Sequence, residues 1–179
     1  MKNILFVSLY SLILTFSSII NAADKTEIDI KVKSTLSKFK NKIGGARTFL
    51  KKAEGVLVFP DVIKAGFGIG GEYGEGALLI KGKTVQYYST AAASIGFQFG
   101  AQQKSVIIVF LQKKALEKFR KSDGWEAGVD GSVALIELGA GKAIDSTTHN
   151  KPIVGFIFGN KGLMYNLTLE GSKFSKIVR

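Results

Sequence analysis

Apolar residues at Ile28, Val32, Leu36, Phe39 and Ile43 recur every three or four positions. That spacing predicts a helix over Thr26 to Ile43 with one apolar stripe. Lys31, Lys33, Lys38, Lys40 and Lys42 fall elsewhere on the turn. Asp24 or Thr26 suits the cap, and Glu27 and Asp29 suit the positive N-terminal end. Gly44-Gly45 stops or bends this helix. Ala46 to Ala53 predicts a second, short one, with Phe49 and Leu50 inward and Arg47, Lys51 and Lys52 outward.

From Gly55 the pattern changes to short apolar runs. Gly55 to Phe59 reads as a buried strand closed by a turn at Pro60-Asp61. Ala65 to Gly71, Ala77 to Ile80, Thr84 to Ser89, Ser94 to Ala101 and Ser105 to Leu111 read as further strands. Lys81-Gly82-Lys83 is a turn, and Gln102-Gln103-Lys104 a polar break. The run from Ser105 to Leu111 lacks polar alternation and is expected to be buried on both faces. Lys113 to Lys121 predicts one more helix, with Ala115, Leu116 and Phe119 inward, ended by Ser122-Asp123-Gly124. Strands follow at Trp125 to Leu138, Pro152 to Phe158, Leu163 to Leu169 and Lys173 to Val178. A polar loop over Gly139 to Asn150 and turns at Asn160-Lys161-Gly162 and Glu170-Gly171-Ser172 separate them.

Between Lys64 and Gly100, glycines at 66, 68, 70, 71, 74, 76, 82, 96 and 100 sit inside apolar sequence. A linker would not carry those apolar residues. Strands packed or bent too closely for side chains explain the pattern better. The fold class expected is α+β: a curved, mainly antiparallel β-sheet or partly closed barrel, with the N-terminal amphipathic helix and one further helix. Residues 24–179 read as a single domain.

Met1 to Ala23 reads as a signal peptide. Lys2 precedes an apolar run from Ile4 to Ile20, then come the small residues Asn21-Ala22-Ala23. Cleavage is expected after Ala22 or Ala23. With no cysteine in the chain, lipoprotein anchoring, disulfides and thiolate metal sites are excluded. The expected location is exported and peripheral to a membrane, the periplasm in a Gram-negative source. Lys and Arg number 25 against 14 Asp and Glu, a formal charge of +11. Such an excess points to an anionic partner.

Candidate chemistry is sparse. Gly66, Gly68 and Gly71 match a dinucleotide fingerprint in spacing, but Glu72-Tyr-Gly-Glu-Gly cannot start the helix that mechanism needs. Glu72 and Glu75 form a candidate carboxylate pair for metal or acid–base work; the plainer reading is a solvated turn or ion pairs with nearby lysines. Asp123, Glu126 and Asp130 lack a full calcium-loop pattern. His149 is the single histidine, so paired-histidine metal ligation is excluded. Asn166-Leu-Thr168 is a glycosylation sequon, and Trp125 reads as core. No cofactor and no catalysis are expected. No nucleic-acid module accompanies the charge.

Ordered motifs carry a family resemblance. They are Ala53-Glu-Gly-Val-Leu-Val-Phe-Pro60, Lys64 to Leu78, Tyr87-Tyr-Ser-Thr-Ala-Ala-Ala-Ser-Ile-Gly96, Asp123-Gly-Trp-Glu-Ala-Gly-Val-Asp130, and Lys161-Gly-Leu-Met164 with Leu169-Glu-Gly-Ser-Lys173. The chain resembles the SYLF domain family over roughly Ile43 to the C-terminus. The resemblance implies lipid binding: eukaryotic members bind phosphoinositide membranes, some fungal members bind actin, and bacterial members are exported. For a bacterial chain it implies phosphatidylglycerol or cardiolipin as the anionic lipid.

The functional expectation is non-enzymatic binding of anionic phospholipid or a membrane surface. The lipid-binding residues expected are Lys31, Lys38, Lys40, Lys42, Lys51 and Lys52, with Phe39, Ile43 and Phe49 inserting shallowly. Two other readings stand beside it. One is an envelope protein-interaction or structural module whose apolar stripe packs on the sheet. The other is a hydrolase or metal enzyme built on Glu72 and Glu75.

Overall fold

A computed structural model describes residues 24–137, 148, 150–162 and 168–179. The signal-peptide segment, most of the loop before Asn150, His149, and Asn166 of the sequon lie outside the described residues.

The elements run α1 (Lys25–Lys42), α2 (Ala46–Lys52), β1 (Gly55–Ile80), β2 (Lys83–Phe110), α3 (Lys113–Lys121), β3 (Trp125–Glu126), β4 (Ala134–Glu137), β5 (Ile153–Gly162) and β6 (Lys173–Ile177). One sheet has the order β3-β6-β2-β5-β4, with β1 on the other edge of β2. All pairings are antiparallel except β4 with β5. The result is a curled, mixed sheet shaped as a half-barrel with three helices, in line with the α+β expectation.

β1 and β2 form one long hairpin. Ile80 pairs with Lys83 across a two-residue turn, and both turn residues, Lys81 and Gly82, have positive φ, 51° and 76°. That is the turn hand that matches strand twist, and it suits glycine at the second position. A straight strand of this length would reach roughly 85 Å. β1 instead curls back over itself, and glycine permits the approach. A Cβ on Gly76 would lie 2.0 Å from the Val58 carbonyl oxygen, and one on Gly74 would lie 2.8 Å from the Asp61 carbonyl oxygen.

Several predicted breaks are absent. Pro60-Asp61 is not a turn: it lies within β1, at a register shift between Phe59 and Val62. A bulge accommodates proline, which has no amide hydrogen for the ladder. Gln102-Gln103-Lys104 continues β2, and Asn160-Lys161-Gly162 belongs to β5. Trp125 to Leu138 is not one strand. Between β3 and β4 the chain turns tightly, with the Asp130 amide donating to the Glu126 carbonyl at 2.9 Å and Gly128 at φ 90°.

Apolar residues pack on both faces of the sheet. Leu57, Phe59, Val106, Ile108 and Phe110 point to the side covered by Leu116 and Phe119 of α3, with Trp125 and Phe174. Val58, Ile107 and Val109 point to the side covered by Ile28, Val32 and Phe39 of α1 and Phe49 of α2, with Phe156. The unalternating run from Ser105 is therefore buried on both faces, as its composition predicts.

Candidate functional site

The α1–α2 corner concentrates positive charge. From Ile30 to Ala53 there are eight basic residues and no acidic one. All eight, Lys31, Lys33, Lys38, Lys40, Lys42, Arg47, Lys51 and Lys52, are exposed. The last turn of α1 holds Lys40 and Lys42, and that of α2 holds Lys51 and Lys52. Cations there complement the negative end of each helix dipole. Gly45, at φ 81°, allows the sharp bend that brings the two helices together.

Lys31 differs from the rest. Its ammonium lies 2.7 Å from Glu27 and 3.3 Å from Asp61. The hydrogen bond it donates to Glu27 is the main cause of its raised pKa, and burial opposes it. It fastens α1 to β1 rather than facing outward free. Among the described residues, Lys33, Lys38, Lys40, Lys42, Arg47, Lys51 and Lys52 make no ion pair.

The expected insertion of aromatic residues needs correction. Phe39 and Phe49 are fully buried. The Phe39 ring lies 4.8 Å from that of Phe156 and 5.7 Å from that of Phe158; Phe49 lies 5.1 Å from Phe156. Their stripe is sealed against the sheet because that face offers matching apolar surface. Ile43 is half-buried, and its amide donates to the Phe39 carbonyl at 3.1 Å. Of the three residues expected to insert, only Ile43 keeps an exposed edge. The lysines form a polar rim above a closed core.

Glu72 and Glu75 do not converge. Glu72 is buried and accepts from the Lys104 ammonium at 2.9 Å, with side-chain exposures of 7% and 1%. Glu75, three positions along the strand, faces the other way and pairs with the Arg179 guanidinium. Tyr73 also donates to Glu75 at 2.7 Å. Burial first, and then that hydrogen bond, push the Tyr73 phenol up to about 12. Both carboxylates serve as ion-pair partners, and no metal-holding group of acids or histidines occurs among the described residues. Asp123 pairs with Lys176, and Asp130 accepts the Glu126 amide hydrogen at 2.7 Å.

Sequence reading missed the interior polar set. Lys64, Thr90, Gln102 and Lys104 are as buried as the core. A signal was present: alternation carries 102 and 104 to the face of Val106 and Ile108, a face already marked as buried. A second basic group went unweighed as well. Lys113, Lys114, Lys118, Arg120 and Lys121 of α3 are exposed on the opposite side of the sheet from α1.

No described helix is long and apolar enough to cross a membrane. The Ysc84 family model (Las17-binding protein actin regulator) matches residues 91–177, from the second half of β2 through β6. The chain is 27% identical over 128 residues to SH3 domain-containing YSC84-like protein 1 of Rattus norvegicus, and to the proteins of that name from Mus musculus and Bos taurus. Those matches cover 69% of this chain and 37% of each relative. The likeness is thus carried by residues 91–177, which match the SYLF, or Ysc84, domain.

Proposed function

We propose that this chain is a non-enzymatic binding module that settles on anionic phospholipid surfaces through the α1–α2 lysine rim. One observation supports the reading: seven exposed cations from Lys33 to Lys52 have no acidic residue within that stretch and no ion pair among the described residues. Unpaired ammonium groups keep their full attraction for phosphate headgroups, at about 1 kcal/mol each near an acidic bilayer. With Phe39 and Phe49 buried, attachment is mainly electrostatic, and the half-buried Ile43 adds apolar contact. Export is part of the same proposal: the apolar run from Ile4 to Ile20 supports it, and it would bring the module to such a surface.

Co-sedimentation with vesicles tests this. Vesicles of phosphatidylglycerol bind the protein at low salt, and neutral phosphatidylcholine vesicles do not. Lys→Glu changes at 38, 40 and 42 together weaken binding by about a hundredfold or more. Equal binding to both lipids, or an unaffected triple variant, refutes the assignment.

The family's description as an actin regulator supports a second reading, in which the same rim meets an acidic protein surface. Co-sedimentation with actin filaments, combined with no vesicle binding, favours that alternative.

A further inference from the structure

On the α3 side of the sheet a cleft of about 480 Å³ opens between α3, the turn that follows β3, and the start of β5. Small-molecule sites commonly span roughly 300 to 1,000 Å³. Its walls are mainly apolar: Ala115 of α3, Trp125 of β3, Val133, and Ile153 of β5. The turn is closed by its own hydrogen bonds, from the Asp130 amide to the Glu126 carbonyl at 2.9 Å and from the Gly128 amide to the Gly131 carbonyl at 3.0 Å. Gly131 packs directly on the indole, since a Cβ there would lie 2.9 Å from Trp125 Cζ2. The Lys118 ammonium donates to the Asp130 carbonyl and ties α3 to the turn. Two sides of the cleft are therefore fixed to each other.

Lys118 and Lys151 also line the cleft, and both are exposed. Long basic side chains lay their stems along apolar walls and keep the charged end in water, here at the mouth. Neither makes an ion pair among the described residues. The carboxylate in the lining, that of Asp130, accepts the Glu126 amide hydrogen at 2.7 Å. Lys114 and Lys121 flank Lys118 one turn away on the same helix face. The mouth thus carries net positive charge above apolar walls. That combination selects a molecule with an apolar body and one anionic end. The acid accepts charge-assisted hydrogen bonds from the lysines, and the body displaces water from Ala115, Val133 and Ile153. A neutral apolar molecule gains only the second, a short acid only the first, and a cation meets repulsion.

We infer that this cleft is a binding site for a small amphipathic organic acid, a carboxylate on a hydrocarbon body. The site lies on the opposite side of the sheet from the α1–α2 rim and does not rest on the reading given for that rim.

The chain has one tryptophan, and it lines the cleft at only 2% exposure, so its fluorescence reports occupancy there. The probe is octanoate, titrated as monomer into the purified protein. Octanoate gives a saturable change in Trp125 emission. Octanol, of the same length and uncharged, binds about tenfold more weakly, the loss of one charge-assisted hydrogen bond. Acetate, the same acid without the body, gives no response over the same concentrations. Lys151→Met lowers octanoate affinity about tenfold and leaves octanol affinity unchanged. Lys118→Met does the same; should it loosen the turn, octanol binding falls as well, and Lys151→Met, which leaves the Lys118 tie in place, decides. Lys38→Met, the same change in net charge on the α1 side, leaves octanoate binding intact. No saturable response to octanoate, equal affinity for octanol, or unchanged octanoate affinity in Lys151→Met overturns the site. The Lys→Glu triple at 38, 40 and 42 keeps the octanoate response whether or not it binds vesicles, so failure of the rim and failure of this site are distinguishable.

Discussion

The Lys104 ammonium and the Glu72 carboxylate meet at 2.9 Å with almost no water around them. Removing one partner strands the other, whereas removing both leaves an apolar pair. Lys104→Met is therefore expected to destabilise the protein by about 3–5 kcal/mol, and Glu72→Leu with Lys104→Met to recover most of that loss. Urea denaturation of the single and double variants checks it. Equal losses in both would show that the pair's geometry matters in itself. Tyr73 gives a pH-dependent counterpart. Its phenol is raised from 10.0 to about 12 in the fold, so its contribution is full below pH 10 and is lost as pH rises towards 12. Melting temperature should fall across that window, and Tyr73→Phe should flatten part of the fall. Tyr87 and Tyr88, both raised chiefly by burial, contribute in the same direction.

At the scale of elements, α1 is held by its apolar stripe. Ile28, Val32 and Phe39 are buried, and Thr84 and Tyr87 donate to Asp29 at 3.0 and 3.1 Å. Asp24 makes no side-chain cap, so tertiary contact and not local capping fixes the helix. Phe39→Ala should cost about 3–5 kcal/mol, measured by chemical denaturation. A loss below 1 kcal/mol would mean that α1 docks only loosely and that its stripe is free for other surfaces. Helix periodicity was legible here because Ile28, Val32, Leu36, Phe39 and Ile43 mark one face unambiguously. What that face meets was not legible, since a stripe suited to lipid is equally suited to the apolar face that Phe156 and Phe158 present.

Over the whole molecule, positive charge is divided between the α1–α2 corner and α3 on the opposite side of the sheet. A bilayer can meet only one of these at a time, so the attraction is local and screenable. Vesicle binding should fall steeply between 0.1 M and 1 M salt, as the screening length shrinks from about 10 to about 3 Å. Binding that survives 1 M salt would mean apolar insertion dominates after all. The glycine pattern between Gly66 and Gly76 foretold close strand approach, and the curl of β1 over Val58 and Asp61 is its realisation. Strand ends were less legible. Polar residues at Gln102 and Lys104, and the proline at position 60, read as interruptions because a sequence window cannot know that a buried carboxylate or a bulge awaits them.

By itself the sequence determined the helix positions, the Lys81-Gly82 turn, the two-sided burial of the central strand and the family resemblance, because each depends on local period, backbone freedom or ordered motifs. Only the tertiary structure decided that Phe39 and Phe49 are covered, that Glu72 serves Lys104 while Glu75 serves Arg179, and that Lys64 lies buried beside Gln102 inside the curl. Those outcomes depend on which distant surfaces meet when the long hairpin coils, and no local pattern encodes that meeting.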